Sequence, residues 1–168
     1  MEHWAAVDQY DPDDPYAHNI HGWTAYIDGR PAEAIEAFAK ADALLPSNPE
    51  INYRWALAYL SAGKGAEAAE RLRVTLRVNP THLGAIQAMS HALRTQGRTN
   101  DAVGFAYEAA RRSGFSNFDM QLSLIDACQE AGRVGDAHDA LTQTRRLVQN
   151  AEMRRVLDER ERKAKKRD

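Results

Sequence analysis

From residue 15 to residue 149, small and apolar side chains return at helical spacing in eight stretches, separated by breaks that mostly hold glycine or proline. The recurring positions fall at i, i+3, i+4 and i+7, as in His18, His21, Gly22 and Ala25, or in Asn52, Trp55, Ala56 and Tyr59. That spacing puts the four side chains on one helix face. The pattern predicts paired helices over 15–28 and 31–44, 49–62 and 66–78, 83–96 and 100–112, and 118–131 and 136–149. Pro15 and Pro31 suit first helical turns, where a missing N–H costs nothing. Asp13 and Asp14 stand ready as N-caps.

The breaks are periodic. Gly29, Gly63 and Gly97 lie 34 residues apart, and Gly132 follows one residue late. Ala34, Ala68 and Ala102 each come five places after a glycine, Pro46 and Pro80 close the first two pairs, and Gly114 stands where a third proline would fall. A period of this length marks stacked helix–turn–helix units. Each periodic glycine is expected to end the first helix of its pair in the left-handed conformation. The inserted residue falls in the 113–117 linker, so the loop should change while the helix pairing persists.

These residues resemble the tetratricopeptide repeat family over nearly the whole chain. The family pattern is large–x–x–large–small–x–x–aromatic, a turn glycine, then alanine, aromatic, alanine and proline. Unit one supplies His18, His21, Gly22, Ala25, Gly29, Ala34, Phe38, Ala41 and Pro46, and unit two supplies Asn52, Trp55, Ala56, Tyr59, Gly63, Ala68, Leu72, Thr75 and Pro80. The fourth unit matches least well, because Ile125 replaces the small residue. The resemblance implies one all-α domain, a right-handed α-solenoid of about four helix–turn–helix repeats at 15–48, 49–82, 83–117 and 118–150. Trp4, Val7 and Pro12 precede Phe38, Ala41 and Pro46 by 34 residues, so 1–14 reads as the last helix of a partial repeat, as at the start of a piece cut from a longer array. Residues 151–168 read as a charged capping helix whose stripe of Met153, Val156 and Leu157 covers the fourth unit.

In this family the first helix of each pair lines a concave face. The resemblance therefore implies a groove formed by Tyr16, Asn19, Trp23 and Tyr26 in unit one, Tyr53, Arg54, Leu57 and Leu60 in unit two, and His91 and Arg94 in unit three, with Asp126 and Gln129 following in unit four. The N-terminal half of this set is aromatic and apolar, the other half polar. Trp23, Tyr26, Tyr53 and Leu57 are expected to grip an apolar or helical segment of a partner protein or peptide, while Arg54 and Arg94 meet carboxylates beside it. The carboxylate clamp of chaperone-binding members is not expected: Trp23 and Arg54 replace its asparagines, and Gly84 and Ala88 stand where its third-unit lysine and arginine would be. The asparagine ladder of glycosyltransferase relatives is absent as well.

Charge adds a second reading. The net charge of −2 points to no nucleic acid, yet residues 1–15 carry five acids and no base, while from Arg145 onward ten bases face five acids. Acidic and basic ends that meet head-to-tail would make a self-assembling structural protein, a homo-oligomer of open or ring form. A third reading is the non-catalytic arm of a larger enzyme or secretion component. Glu159 and Glu161 interrupt the basic tail and no aromatic interleaves it, so it reads as a solvated helix end. No apolar run approaches the roughly 18 residues of a membrane span, so direct membrane insertion is not expected. The opening Met-Glu-His-Trp lacks a secretory signal, which gives a cytoplasmic reading. Arginine outnumbers lysine 17 to 5, a bias of GC-rich bacterial genomes.

Candidate chemistry is thin. His18 and His21 share a helix face and could hold Zn²⁺, but a third ligand is wanting and His21 falls on a packing position. Cys128, the one cysteine, occupies the packing position of Tyr59 and reads as a buried small hydrophobe. His91 could lend pH dependence to the groove. There is no phosphate loop and no dinucleotide fingerprint, so neither a cofactor, a metal nor a catalytic residue is expected.

Overall fold

A computed structural model describes residues 13–165. The partial repeat read on Trp4, Val7 and Pro12 lies outside these residues, as does the end of the basic tail. The described residues form an all-α fold: α1 (Pro15–Ile27), α2 (Pro31–Leu44), α3 (Pro49–Ser61), α4 (Gly65–Val78), α5 (Leu83–Thr95), α6 (Thr99–Arg112), α7 (Phe118–Glu130), α8 (Val134–Thr144) and α9 (Ala151–Lys165). The chain divides within α5 into two compact units, 1–85 and 86–168.

In the first unit α1 pairs with α2 and α3 with α4. Asp14 caps α1 by accepting from the Tyr16 N–H at 2.8 Å. Asn48 caps α3 by accepting from Glu50 and Ile51 at 3.0 and 3.1 Å. Both helices end on a left-handed glycine, Gly29 at φ +72° and Gly63 at φ +71°. The amides of Arg30 and Lys64 then reach back to the carbonyls of Ala25 and Tyr59, each at 2.9 Å. This Schellman geometry satisfies carbonyls that a helix end would otherwise leave bare. It also explains why α1 and α3 stop one residue before the sequence pattern does, since Asp28 and Ala62 become C-caps.

The core of this unit gathers Ala25, Ala34, Phe38, Trp55 and Ala58. Helices α1 and α2 approach closely where a Cβ on Gly22 would lie 2.9 Å from the Phe38 ring. Asn52 is fully buried and donates to Asp42 at 2.8 Å and to the Asn48 carbonyl at 3.0 Å. The Arg71 guanidinium stands 4.2 Å over Trp55, covering a ring whose indole N–H is buried without a partner among the described residues.

The second unit packs α6 on α7, α7 on α8, and α9 on both α7 and α8. Ile125, the least repeat-like residue of its unit, is fully buried beside Leu141, Ala137 and Ala110. Cys128 is buried too, and that burial pushes its thiol above the ordinary range. Leu157 of α9, 2% exposed, joins the core with Val156 packed against it, as a capping stripe does. The inserted residue gives α6 the same ending as the first helices. Gly114 takes φ +64°, Phe115 follows at φ +55°, and its amide bonds the Ala110 carbonyl at 2.8 Å. Two boundaries, both of α8, differ from the pattern by more than one residue. Helix α8 begins at Val134 rather than 136, because Arg133 takes the N-cap place that Arg30, Lys64 and Arg98 hold in the other pairs. It also ends at Thr144 in a 3₁₀ turn, Arg145–Leu147, since the chain must swing into α9, where Asn150 caps by accepting from the Met153 N–H at 2.8 Å.

Candidate functional site

Helix α1 exposes Tyr16, Ile20 and Ile27, which with Trp23 repeat at i, i+4, i+7 and i+11 along one stripe. The reason is the sequence itself: Ala17, Gly22 and Ala25 turn the small face inward, so the large residues are left outside. Trp23 and Tyr26 are half-buried and stacked, with ring centres 5.2 Å apart and planes at 24°. Both rest on the core cluster of the first unit. From α3, Arg54 lays its guanidinium 5.0 Å over the Trp23 ring, and its Nε donates to Glu50 at 2.7 Å. The cation is thus held from two sides, by a π face and by a carboxylate.

Tyr53 lies one residue away on the same helix. Its ring is 4.5 Å from that of His82. Burial, then the charge of Glu50 and the nearby Tyr26, raise its phenol above the ordinary pKa. Gly84 makes the placement possible, because a Cβ there would sit 2.6 Å from the Tyr53 hydroxyl. His82 in turn caps α5, its Nδ1 accepting from the Ala85 N–H at 3.0 Å. Leu57 and Leu60 are half-buried, one and nearly two turns beyond Tyr53.

Asn19 departs from its expected place. It is 8% exposed, and its Oδ1 is buried with no hydrogen-bond partner among the described residues, so it belongs to the interior of α1 rather than to an open face. The helix turns it between Tyr16 and Trp23 toward the buried side.

The polar residues of the second unit are already engaged. Arg94 donates Nε and Nη2 to the two oxygens of Glu130 at 2.8 and 2.5 Å. Asp126 receives a two-pronged bond from Arg160 of α9 at 2.8 and 2.9 Å, and Gln129 donates to the Arg160 backbone carbonyl at 2.9 Å. The capping helix therefore occupies two of the positions read as groove. Arg94, with a side chain only 19% exposed, is committed to its own carboxylate rather than waiting for another. Arg160→Ala should free the end of α9 and cost about 1–2 kcal/mol of local opening energy, read as faster hydrogen exchange at amides 157–161 with those of α6 unchanged.

His91 is exposed in part, yet burial of its ring, and secondarily the Arg94 cation, lower its pKa below 6.5. The neutral form is therefore favoured on folding. Its contribution to stability is complete above the ordinary histidine pKa and is lost as pH falls through the lower folded value. His91→Gln should flatten the acid side of the melting-temperature profile, which thermal unfolding in buffers below pH 6.5 measures.

His21, which shares a face with His18, meets Glu33 of α2 at 2.8 Å. That carboxyl also receives Arg30, and bonding first from His21 and then from Arg30 lowers its pKa. Among the described residues no group of three or more His, Cys, Asp or Glu is placed to hold a metal ion. No described helix is long and apolar enough to cross a membrane.

Sequence reading missed the partners that fix these residues: His82 and Gly84 around the aromatic patch, and Glu130 and Arg160 in the second unit. The pairing of Glu50, itself a groove position, with Arg54 had a visible signal in their four-residue spacing. Arg94 and Glu130 are 36 residues apart, and Asp126 and Arg160 are 34 apart, so only the fold brings them together.

Comparison with known proteins agrees with this architecture. A family model for the tetratricopeptide repeat matches residues 25–93. Among curated proteins none matches the chain. A thermophilic tetratricopeptide repeat protein of Thermus thermophilus superposes with a TM-score of 0.72 at 22% identity, covering 91% of this chain and 87% of that one. PilW, a widely conserved type IV pilus biogenesis factor, gives a TM-score of 0.77 at 22% identity over 88% of this chain and 69% of its own. The second such domain of human RPAP3, solved with an HSP70 peptide, gives 0.61 at 20% identity over 67% of this chain and 97% of its own.

Proposed function

We propose that this chain, whose residues 25–93 match the tetratricopeptide repeat model, is a scaffold or adaptor of that family that holds a partner protein against the exposed face of α1 and α3. The observation that carries this reading is the Trp23–Tyr26 stack with Arg54 over it, set in an apolar stripe that α1 leaves uncovered. Stacked rings backed by a core are stiff and amphipathic, so they offer large contact area at little entropic cost. Tyr53, Leu57 and Leu60 extend the surface along α3, and Tyr16 extends it along α1. The partner segment is apolar or helical, with a carboxylate near Arg54 able to compete with Glu50.

Recognition differs from that of a clamp for an acidic chaperone tail. Gly84 gives its space to Tyr53 instead of supplying a cation, and Trp23 and Arg54 replace clamp asparagines. His91 and Arg94 enter only as a polar margin, because Arg94 is already paired. The test is affinity capture from host lysate with wild type beside the Trp23→Ala/Tyr53→Ala variant, read by mass spectrometry. A protein that is lost with the double variant supports the reading. A partner retained equally by both refutes the assignment of the surface, and capture of the chain by itself alone favours end-to-end assembly.

A further inference from the structure

We propose that the second unit carries a separate docking groove, between α6 and α8, for a partner segment that pairs an apolar side chain with a lysine or arginine. The groove encloses about 540 Å³, within the 300–1,000 Å³ of ordinary ligand sites. Val103, Leu124 and Cys128, all buried, form its floor, and Tyr107 and Phe115 stand as aromatic walls in an edge-to-face pair 5.7 Å apart. Tyr107 is 51% exposed, which a large aromatic over an empty hollow tolerates only at a cost in solvated apolar surface.

Two departures from the repeat create this space. The first is Gly104, at the place where the two preceding units carry Glu36 and Glu70. A Cβ at Gly104 would meet nothing within 4 Å, so a longer side chain there would project into the hollow. The second is the inserted linker residue, which ends α6 on Gly114 and swings Phe115 to the groove wall. Neither departure serves the helix pairing, since Gly104 weakens a helix interior and Phe115 holds a left-handed backbone that a bulky residue adopts at a cost.

The charges at the rim choose the occupant. Arg133, Asp136 and Asp139 all line the groove. Arg133 donates to Asp136 at 2.5 Å, which leaves Asp139 without a cation among the described residues. An apolar hollow with an aromatic wall and one uncompensated carboxylate attracts a cation attached to an apolar body, through ion pairing at the rim and the ring face of Tyr107. Asp139 and Tyr107 lie at the solvent edge, so an extended chain can cross the rim and lower one apolar side chain into the hollow. This groove shares no residue with the α1–α3 surface, and its failure would leave that reading intact.

A displayed heptapeptide library selected on the full chain, with counter-selection on the Gly104→Glu variant, tests the proposal. The enriched peptides should carry Leu, Ile, Phe or Trp beside Lys or Arg. A synthetic peptide of that consensus should bind Gly104→Glu at least about 10-fold more weakly, because the glutamate fills the hollow, and Asp139→Asn about 3–5-fold more weakly, as loss of one part-exposed ion pair implies. Both substitutions lie on exposed positions, and unchanged circular dichroism and melting temperature would show that both variants fold. The proposal is overturned if selection yields no peptide sensitive to Gly104→Glu, if the consensus lacks a basic residue, or if Trp23→Ala rather than Gly104→Glu abolishes binding.

Discussion

Phe38→Ala is expected to destabilise the first unit by about 3–5 kcal/mol, the range for truncating a buried aromatic. The side chain is fully buried and is the largest of the core residues so enclosed. Its ring lies between α1 and α2, close against Gly22. The same two places in the second repeat hold Ala56 and Leu72, both fully buried. One residue of each pair has grown as the other has shrunk. Gly22→Ala alone should therefore strain the unit by about 1–3 kcal/mol, despite the roughly 1 kcal/mol that alanine gains over glycine in a helix. Gly22→Ala with Phe38→Leu reproduces the pair of the next repeat, and its cost should fall below the sum of the single changes by about 1 kcal/mol or more. Denaturant melts of the four proteins measure this. Strict additivity would show that the 2.9 Å approach is relieved elsewhere and that the two positions do not form a unit.

That complementarity shows how far the sequence carries the fold. Glycines at a 34-residue period announce the left-handed helix ends, and Pro15, Pro31 and Pro49 each open a helix in the structure. Local chemistry decides these features, so a one-dimensional pattern contains them. The one- and two-residue shifts at helix ends have equally local reasons, the C-cap residue before each glycine and the basic N-cap after it, whereas α8 ends early because the chain turns into α9. The placement of side chains was less legible. Asn19 stands at the spacing of its exposed neighbours yet is buried, because what the neighbouring helix covers, and not the spacing alone, decides exposure at the edge of a stripe. Arg94 and Asp126 read as free polar groups, but Glu130 and Arg160 consume them through contacts that span more than thirty residues. The groove at Gly104 was not legible as a site, since a glycine in place of glutamate is silent until α6, α7 and α8 surround it.

Trp23→Ala combined with Tyr53→Ala should weaken capture of the partner by about 1,000-fold or more, as expected where two hot-spot aromatics each contribute about 2 kcal/mol or above. The two rings stand on different helices, α1 and α3, and each has its own support: Tyr26 and Arg54 for Trp23, His82 and the hollow over Gly84 for Tyr53. Because both are only half-buried, their loss should leave helicity intact, so that lost capture reports on binding rather than on folding. Arg54→Met separates the contributions further. It removes the cation over Trp23 while keeping an apolar chain of similar length, and should lower affinity about 3–10-fold, with the larger value if the partner brings a carboxylate to displace Glu50. Salt supplies the remaining discrimination. Capture through an apolar patch should change little as ionic strength rises, whereas assembly of an acidic end on a basic end should weaken steeply. Sedimentation of the protein alone at low and high salt, beside capture of the partner under the same conditions, separates these outcomes. Salt-sensitive self-association that the aromatic substitutions leave unchanged would move the function from the α1–α3 surface to the ends of the chain.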